Sequence, residues 1–213
     1  MNFDTLLSLI GALEWFDLAT LVQLSDERRQ SLSNQLFRLG KSGRIVPLRR
    51  GMYALAPRYR RVPIQPAALA NALYRPSYLS NAWALSFHGL IPEGVPVYTS
   101  VTSRPPQQFC NDLGEFSYRN VKQELFFGYQ PVQLSGRSVL VASPEKALLD
   151  FFHLSRGEWT AARMEEMRFS SAAGVDTALL EEMAVRVGGP RLRRAAALWS
   201  KVASAAGEGE VAL

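Results

Sequence analysis

Along the first forty residues the apolar positions recur every three or four places. Phe3, Leu6, Leu7, Ile10 and Leu13 mark an amphipathic helix over residues 3 to about 13. The run Phe16-Asp17-Leu18-Ala19-Thr20-Leu21 opens a second helix, with Asp17 as its N-cap and Leu18, Leu21 and Val22 on its buried side. A third is expected to open at Ser25 or Asp26. Asp26 and Glu27 then fall in its first turn, where the helix dipole favours negative charge. Leu32, Leu36 and Leu39 form one stripe along it, and Gly40 or Gly43 ends it. The pattern then changes. Arg44-Ile45-Val46-Pro47-Leu48 reads as a strand, Arg49-Arg50-Gly51 as a tight turn, and Met52-Tyr53-Ala54-Leu55 as the returning strand. Gly51 supplies the positive φ such a turn often needs, and Pro47, lacking an N–H, belongs on a ladder edge. Three helices followed by a β-hairpin are the plan of a winged helix-turn-helix.

The segment RRVPIQP, residues 60–66, carries two prolines and reads as a linker. Beyond it, residues 67–74 and 80–90 are expected to be helical, and 95–102 a strand. Residues 116–121 and 125–129 read as two strands of a hairpin, and 139–142 as a further strand running into a helix. Ser143 caps that helix with Glu145 in its first turn, and Ala147, Leu148, Phe151 and Phe152 face inward. Residues 161–168, 175–187 and 191–203 read as helices, the last two parted by Gly188-Gly189-Pro190. The expected fold is α+β: a winged helix-turn-helix over residues 1–62, then a mixed α+β domain over 63–205 with a small antiparallel sheet and C-terminal helices. Residues 206–213 are expected to be a flexible tail.

Charge sharpens the first third. The chain carries a formal net charge of +5, and residues 1–62 hold ten Lys/Arg against five Asp/Glu, so the remainder is neutral. From Arg28 to Arg61 there are ten basic residues and no acidic one. Such a segment is built to face a polyanion. At about 100° per residue, Gln30, Asn34, Arg38 and Lys41 fall in one sector opposite the leucines, flanked by Ser31 and Ser33. Asn and Gln suit adenine edges, Arg and Lys suit guanine or phosphate, and Ser suits either base or backbone. Arg49 and Arg50, at the hairpin tip, are expected to meet phosphate, and Arg44 is a further DNA-binding candidate. Arg58, Tyr59, Arg60 and Arg61 either extend those contacts or form a solvated linker.

Other chemistries find little purchase. No apolar run approaches the roughly 18 residues that cross a bilayer, and the acidic, leaderless N-terminus does not read as a secretory signal. A single cysteine, Cys110, rules out an internal disulfide and suits a reducing cytoplasm. With His88 and His153 it supplies too few ligands for a structural zinc, so no metal is expected. Glu145, Lys146 and Asp150 invite a nuclease reading, a metal-dependent one targeted by the winged helix. Such a site needs Asp and Glu-x-Lys on adjacent strands, whereas here Glu and Lys are neighbours on a helix and diverge by about 100°. Capping and surface pairing are their expected roles. His88 and His153 read as capping or packed histidines, and Cys110 lies in an expected polar loop. There is neither a Walker loop nor a Gly-x-Gly-x-x-Gly, so no catalytic residue and no cofactor is expected.

Three segments resemble one family. LSNQLFRLGKSGRIVPLRRGMYAL (Leu32 to Leu55) is similar to the recognition helix and wing of the AbiEi family, antitoxins of type IV toxin–antitoxin and phage-defence operons. YLSNAWALSFHGLIPEGVPVYTSVT (Tyr78 to Thr102) resembles the helix and strand that follow in that family. SPEKALLDFFHL (Ser143 to Leu154) resembles its Pro-Glu-(Arg/Lys)-Ala-Leu-Leu-Asp segment. The resemblance implies a DNA-binding repressor that autoregulates its operon through inverted repeats. It also implies a nucleotidyltransferase toxin as functional partner, counteracted without a stable complex being required. Residues after about 165 lie outside it.

Overall fold

The computed structural model describes residues 2–169 and 174–210, with side chains to residue 203. It is an α+β fold. Helix α1 (Phe3–Ile10) leads to a short strand β1 (Phe16–Asp17), then α2 (Leu18–Leu24), α3 (Arg29–Lys41), and the strands β2 (Ile45–Arg49) and β3 (Met52–Leu55). β3 pairs antiparallel with both neighbours in the order β1-β3-β2. Leu6, Ile10, Leu21, Leu32, Leu36 and Ile45 are among the buried residues joining these elements into one small core.

Local chemistry explains where the helices begin and end. Asp17 caps α2, its carboxylate accepting from the Thr20 N–H at 2.7 Å and the Thr20 hydroxyl at 2.9 Å. The stripe of α3 buries Leu32 and Leu36, with Leu39 partly covered. Its start differs from expectation. The turn after α2 consumes residues 25–28, so α3 begins at Arg29 after an N-cap, Arg28, that makes no side-chain cap bond. Ser25 instead donates to the Leu21 carbonyl at the end of α2. Glu27, just ahead of α3, accepts from Ser31 Oγ at 2.9 Å. Helix α1 stops three residues short of expectation, at Ile10, leaving Leu13 42% exposed. Val22 lies on the exposed side of α2 rather than the buried one.

The second unit is built on a six-stranded sheet in the order β6-β7-β5-β4-β9-β8. The strands are β4 (Ser77–Leu79), β5 (Val97–Thr102), β6 (Gln107–Asn111), β7 (Gly114–Asn120), β8 (Tyr129–Leu134) and β9 (Arg137–Ala142). The sheet is mixed and not antiparallel throughout: β5 runs parallel to β7, and β4 parallel to β9. The hairpin expected between residues 116–121 and 125–129 does not form. Leu125 is buried in a short 3-10 turn (Gln123–Leu125), and β8 pairs instead with β9. Ser135 and Gly136, both at positive φ, make the tight turn that joins them. Cys110 lies on the edge strand β6 rather than in a loop.

Helix α4 (Pro66–Leu73) lies against β4, β5 and β9, and α5 (Asn81–Phe87) against β5. Helix α6 (Pro144–Leu154) packs on α5, β9, α8 (Thr177–Val187) and α9 (Pro190–Glu210), while α7 (Ala161–Glu166) contacts α9. Enclosure of α6 overturns the expected surface role of its charges. Lys146 and Asp150 are each 1% exposed. Lys146 Nζ meets Asp150 Oδ1 at 2.5 Å, and Asp150 Oδ2 accepts from Ser80 Oγ at 2.7 Å and from Tyr78 Oη at 3.0 Å. A buried charge pair survives only when such bonds satisfy it.

The hairpin belongs to both units. One side of it, with Ile45 and Leu55, enters the small core; Leu48, Met52 and Ala54 enter the core of the larger unit. Asn111 Nδ2 on β6 donates to the Leu48 carbonyl at 3.1 Å, and Arg137 on β9 pairs with Glu14 at 3.1 Å.

Candidate nucleic-acid interface

The exposed face of α3 follows from its buried one. With Leu32 and Leu36 inward, Gln30, Asn34, Arg38 and Lys41 all stand in solvent. Gln30 Nε2 donates to Asn34 Oδ1 at 3.4 Å, one turn apart, so the two amides lie side by side. Ser31 is turned into the helix's own bonding: besides donating to Glu27, its hydroxyl accepts from Gln35 Nε2 at 3.0 Å. Ser33 is exposed and lines a cleft with Arg29, Asp17 and the start of α2, and Arg49-Arg50-Gly51 of the hairpin turn, Asp17 being its one acidic residue. Arg44 is exposed at the base of β2, its guanidinium 5.0 Å from the centre of the Phe3 ring.

The turn between β2 and β3 holds the two arginines differently. Gly51, at φ +77°, closes the turn. Arg50 is exposed, whereas Arg49 is half-buried, with Nη1 donating to the Arg50 carbonyl at 3.0 Å. The Arg49 charge is felt in both units. The Thr20 N–H chiefly holds the Asp17 carboxyl below its usual range, and Arg49 adds to that. Burial raises the Tyr118 hydroxyl, and Arg49 counteracts it.

A second cleft opens on the other side of the turn. Arg49 and Arg50 line it together with Tyr74, Arg75, Arg104, Gln107 and Phe109, and no acidic residue lines it. The Arg104 guanidinium lies 4.4 Å from the centre of the Tyr74 ring and donates to the Arg75 carbonyl at 2.9 Å. Sequence reasoning missed Arg29, Arg75 and Arg104. Arg29 is signalled by the basic run; Arg75 and Arg104 come from separate loops, and nothing in their spacing joins them to the hairpin. Of the trailing basic residues, Arg60 is tied back, its Nε donating to the Leu55 carbonyl at 2.6 Å. Arg58 covers the Tyr59 ring at 4.8 Å, and Arg61 is exposed.

The side chains of the nuclease reading lie elsewhere and are engaged. Glu145 accepts from Ser143 Oγ at 2.8 Å and from the Asp176 N–H at 3.0 Å, and Lys146 and Asp150 hold each other in the core. His88 Nε2 sits 2.8 Å from the Ala142 carbonyl, and burial depresses the pKa of His153. Among the described residues no group of three or more His, Cys, Asp or Glu is placed to hold a metal ion, and no helix is long and apolar enough to cross a membrane. No protein-family model matches the chain, and no curated protein matches it in sequence.

Proposed function

We propose that the chain is a transcriptional repressor that binds double-stranded DNA through an N-terminal winged helix. In this reading α3 enters the major groove and the turn between β2 and β3 is the wing. The observation that carries it is the pair of arginines shared by the two clefts, with Asp17 the one acidic residue lining either. Arg49 and Arg50 line both clefts, so the cations beside α3 continue through the turn to Arg75 and Arg104. Gln30, Asn34 and Arg38 occupy the exposed face with the donors and acceptors that base edges require. The arginines around the turn bind phosphate, which sets affinity and register rather than sequence choice. Repression follows from occupying promoter DNA. By the resemblance of its three segments to AbiEi antitoxins, the chain autoregulates its operon at inverted repeats and counteracts a nucleotidyltransferase toxin.

The test is binding-site selection by the full-length protein on random duplexes, repeated with Asn34→Ala and Arg38→Ala. A bidentate base contact discriminates by roughly 1–3 kcal/mol, so each variant should lose preference at one or two positions per half-site. An enriched site whose preferences are unchanged in both variants would remove α3 as the reader. The toxin part is tested by co-expressing the toxin of the same operon with the Arg49→Ala/Arg50→Ala protein. Protection that persists after repression is lost supports it, and protection absent even with the native chain overturns it.

A further inference from the structure

Phe37 is 64% exposed, the most exposed large apolar side chain among the described residues. It lies on α3, one turn beyond Asn34, where an ordinary surface helix carries a polar residue. At about 100° per residue it stands about 20° from Gln30 and about 40° from Lys41, at the Ser33 edge of the sector of polar side chains opposite Leu32 and Leu36. The ring does not hang free. Lys41 Nζ sits 4.7 Å from its centroid, and the rest of the ring's surface is open.

An apolar ring beside an ammonium, on a helix face that also carries the amides of Gln30 and Asn34, needs a partner that is anionic overall and offers one apolar group. A second copy of this chain does not fit. A two-fold contact through this face would bring Arg38 and Lys41 against their own kind. The major groove of DNA does fit. Its phosphates match the cations, its base edges match Gln30 and Asn34, and its methyl group is the C5 substituent of thymine. We propose that Phe37 is a specificity-determining residue that packs on a thymine 5-methyl group in the DNA site. The proposal rests on the reading of α3 as the helix in the groove.

The experiment uses full-length protein and the best duplex from selection on random sequences, made with each thymine in turn replaced by deoxyuridine. This removes the methyl group and keeps every hydrogen-bonding atom. The native protein should bind about fourfold more weakly where the contacted thymine is replaced, the equivalent of ~0.8 kcal/mol per methyl buried. Phe37→Ala should show no difference between the thymine and deoxyuridine duplexes. Because the ring is exposed, the variant should melt with the native protein. Arg38→Ala should bind both duplexes more weakly and keep the difference between them. Equal binding of the two duplexes by the native protein, with duplex binding intact, overturns the proposal and leaves the DNA reading standing. So does a methyl preference that survives in Phe37→Ala. Loss of self-association in Phe37→Ala, seen by sedimentation with an unchanged methyl preference, assigns the face to a second copy and also overturns it. If the native protein binds no duplex at all, the DNA reading falls and takes this proposal with it.

Discussion

Helices α3 and α6 are of similar length and both carry cations, yet their surroundings put those charges to opposite uses. α3 packs through one stripe, burying Leu32 and Leu36, and its Arg29, Arg38 and Lys41 remain in solvent. α6 is enclosed by α5, α8, α9 and β9, and Lys146 is buried against Asp150. An exposed cation keeps its hydration and its reach toward a polyanion. A buried one has given up its water, and its counter-charge is already beside it. Lys146 is therefore part of the architecture, and the cations of α3 and the hairpin turn are what remains for a partner. The contrast separates a charge that holds the fold from charges left exposed for the proposed contact with DNA.

The largest expected effect lies at α6. Lys146→Met leaves Asp150 buried without its cation and should cost about 3–5 kcal/mol in urea unfolding. Tyr78 sharpens this, since burial first and Asp150 second push its hydroxyl well above the ordinary range, so it stays a donor to Asp150. Lys41→Ala, on the exposed face, should change stability by no more than about 0.5 kcal/mol. Comparable losses for the two variants would erase the distinction between the two helices.

The next effect concerns the hairpin turn. Arg49→Ala/Arg50→Ala should weaken binding to selected and random duplexes by similar factors and lower the log–log salt slope by about 2. Arg75→Ala/Arg104→Ala, in the unit whose charges balance, should act in the same direction and by no more than that. Loss confined to the selected duplex would make the turn a reader of bases.

A smaller loss is expected at the cap of α2. Asp17→Ala should cost about 1 kcal/mol at neutral pH, measured by chemical unfolding. Because the folded carboxyl lies below its ordinary value, its contribution is complete above about pH 4 and disappears as pH falls through the folded pKa. A gap between native and variant that widened below pH 4 would contradict the cap assignment.

What the sequence reveals divides along the same line. The stripe of α3, the cap at Asp17 and the hairpin closed by Gly51 are local patterns, legible because each repeats or terminates within a few residues. β1 and β4 are two and three residues long, too short for any period to show. β6 is a polar edge strand, QQFCN, that reads as a loop. The apolar run at Leu125-Phe126-Phe127 resembles a strand, but Gly128 at φ +73° turns the chain before β8 begins. Parallel pairing of β4 with β9 joins segments some sixty residues apart, which no local signal encodes. Of the candidate site, the basic run and the face of α3 are visible in sequence. Arg75 and Arg104 are not, because folding alone brings them to the hairpin. Burial of Lys146 is equally hidden, since a lysine on a helix is ordinarily solvated.

In the proposed function the cations on α3 and around the hairpin turn form a surface for duplex DNA. The decisive measurement is the salt dependence of binding to a random duplex by the full-length protein. Neutralising about four to six phosphates predicts a slope of log affinity against log salt of roughly −4 to −5. A flat response, or no binding at low ionic strength, would contradict it.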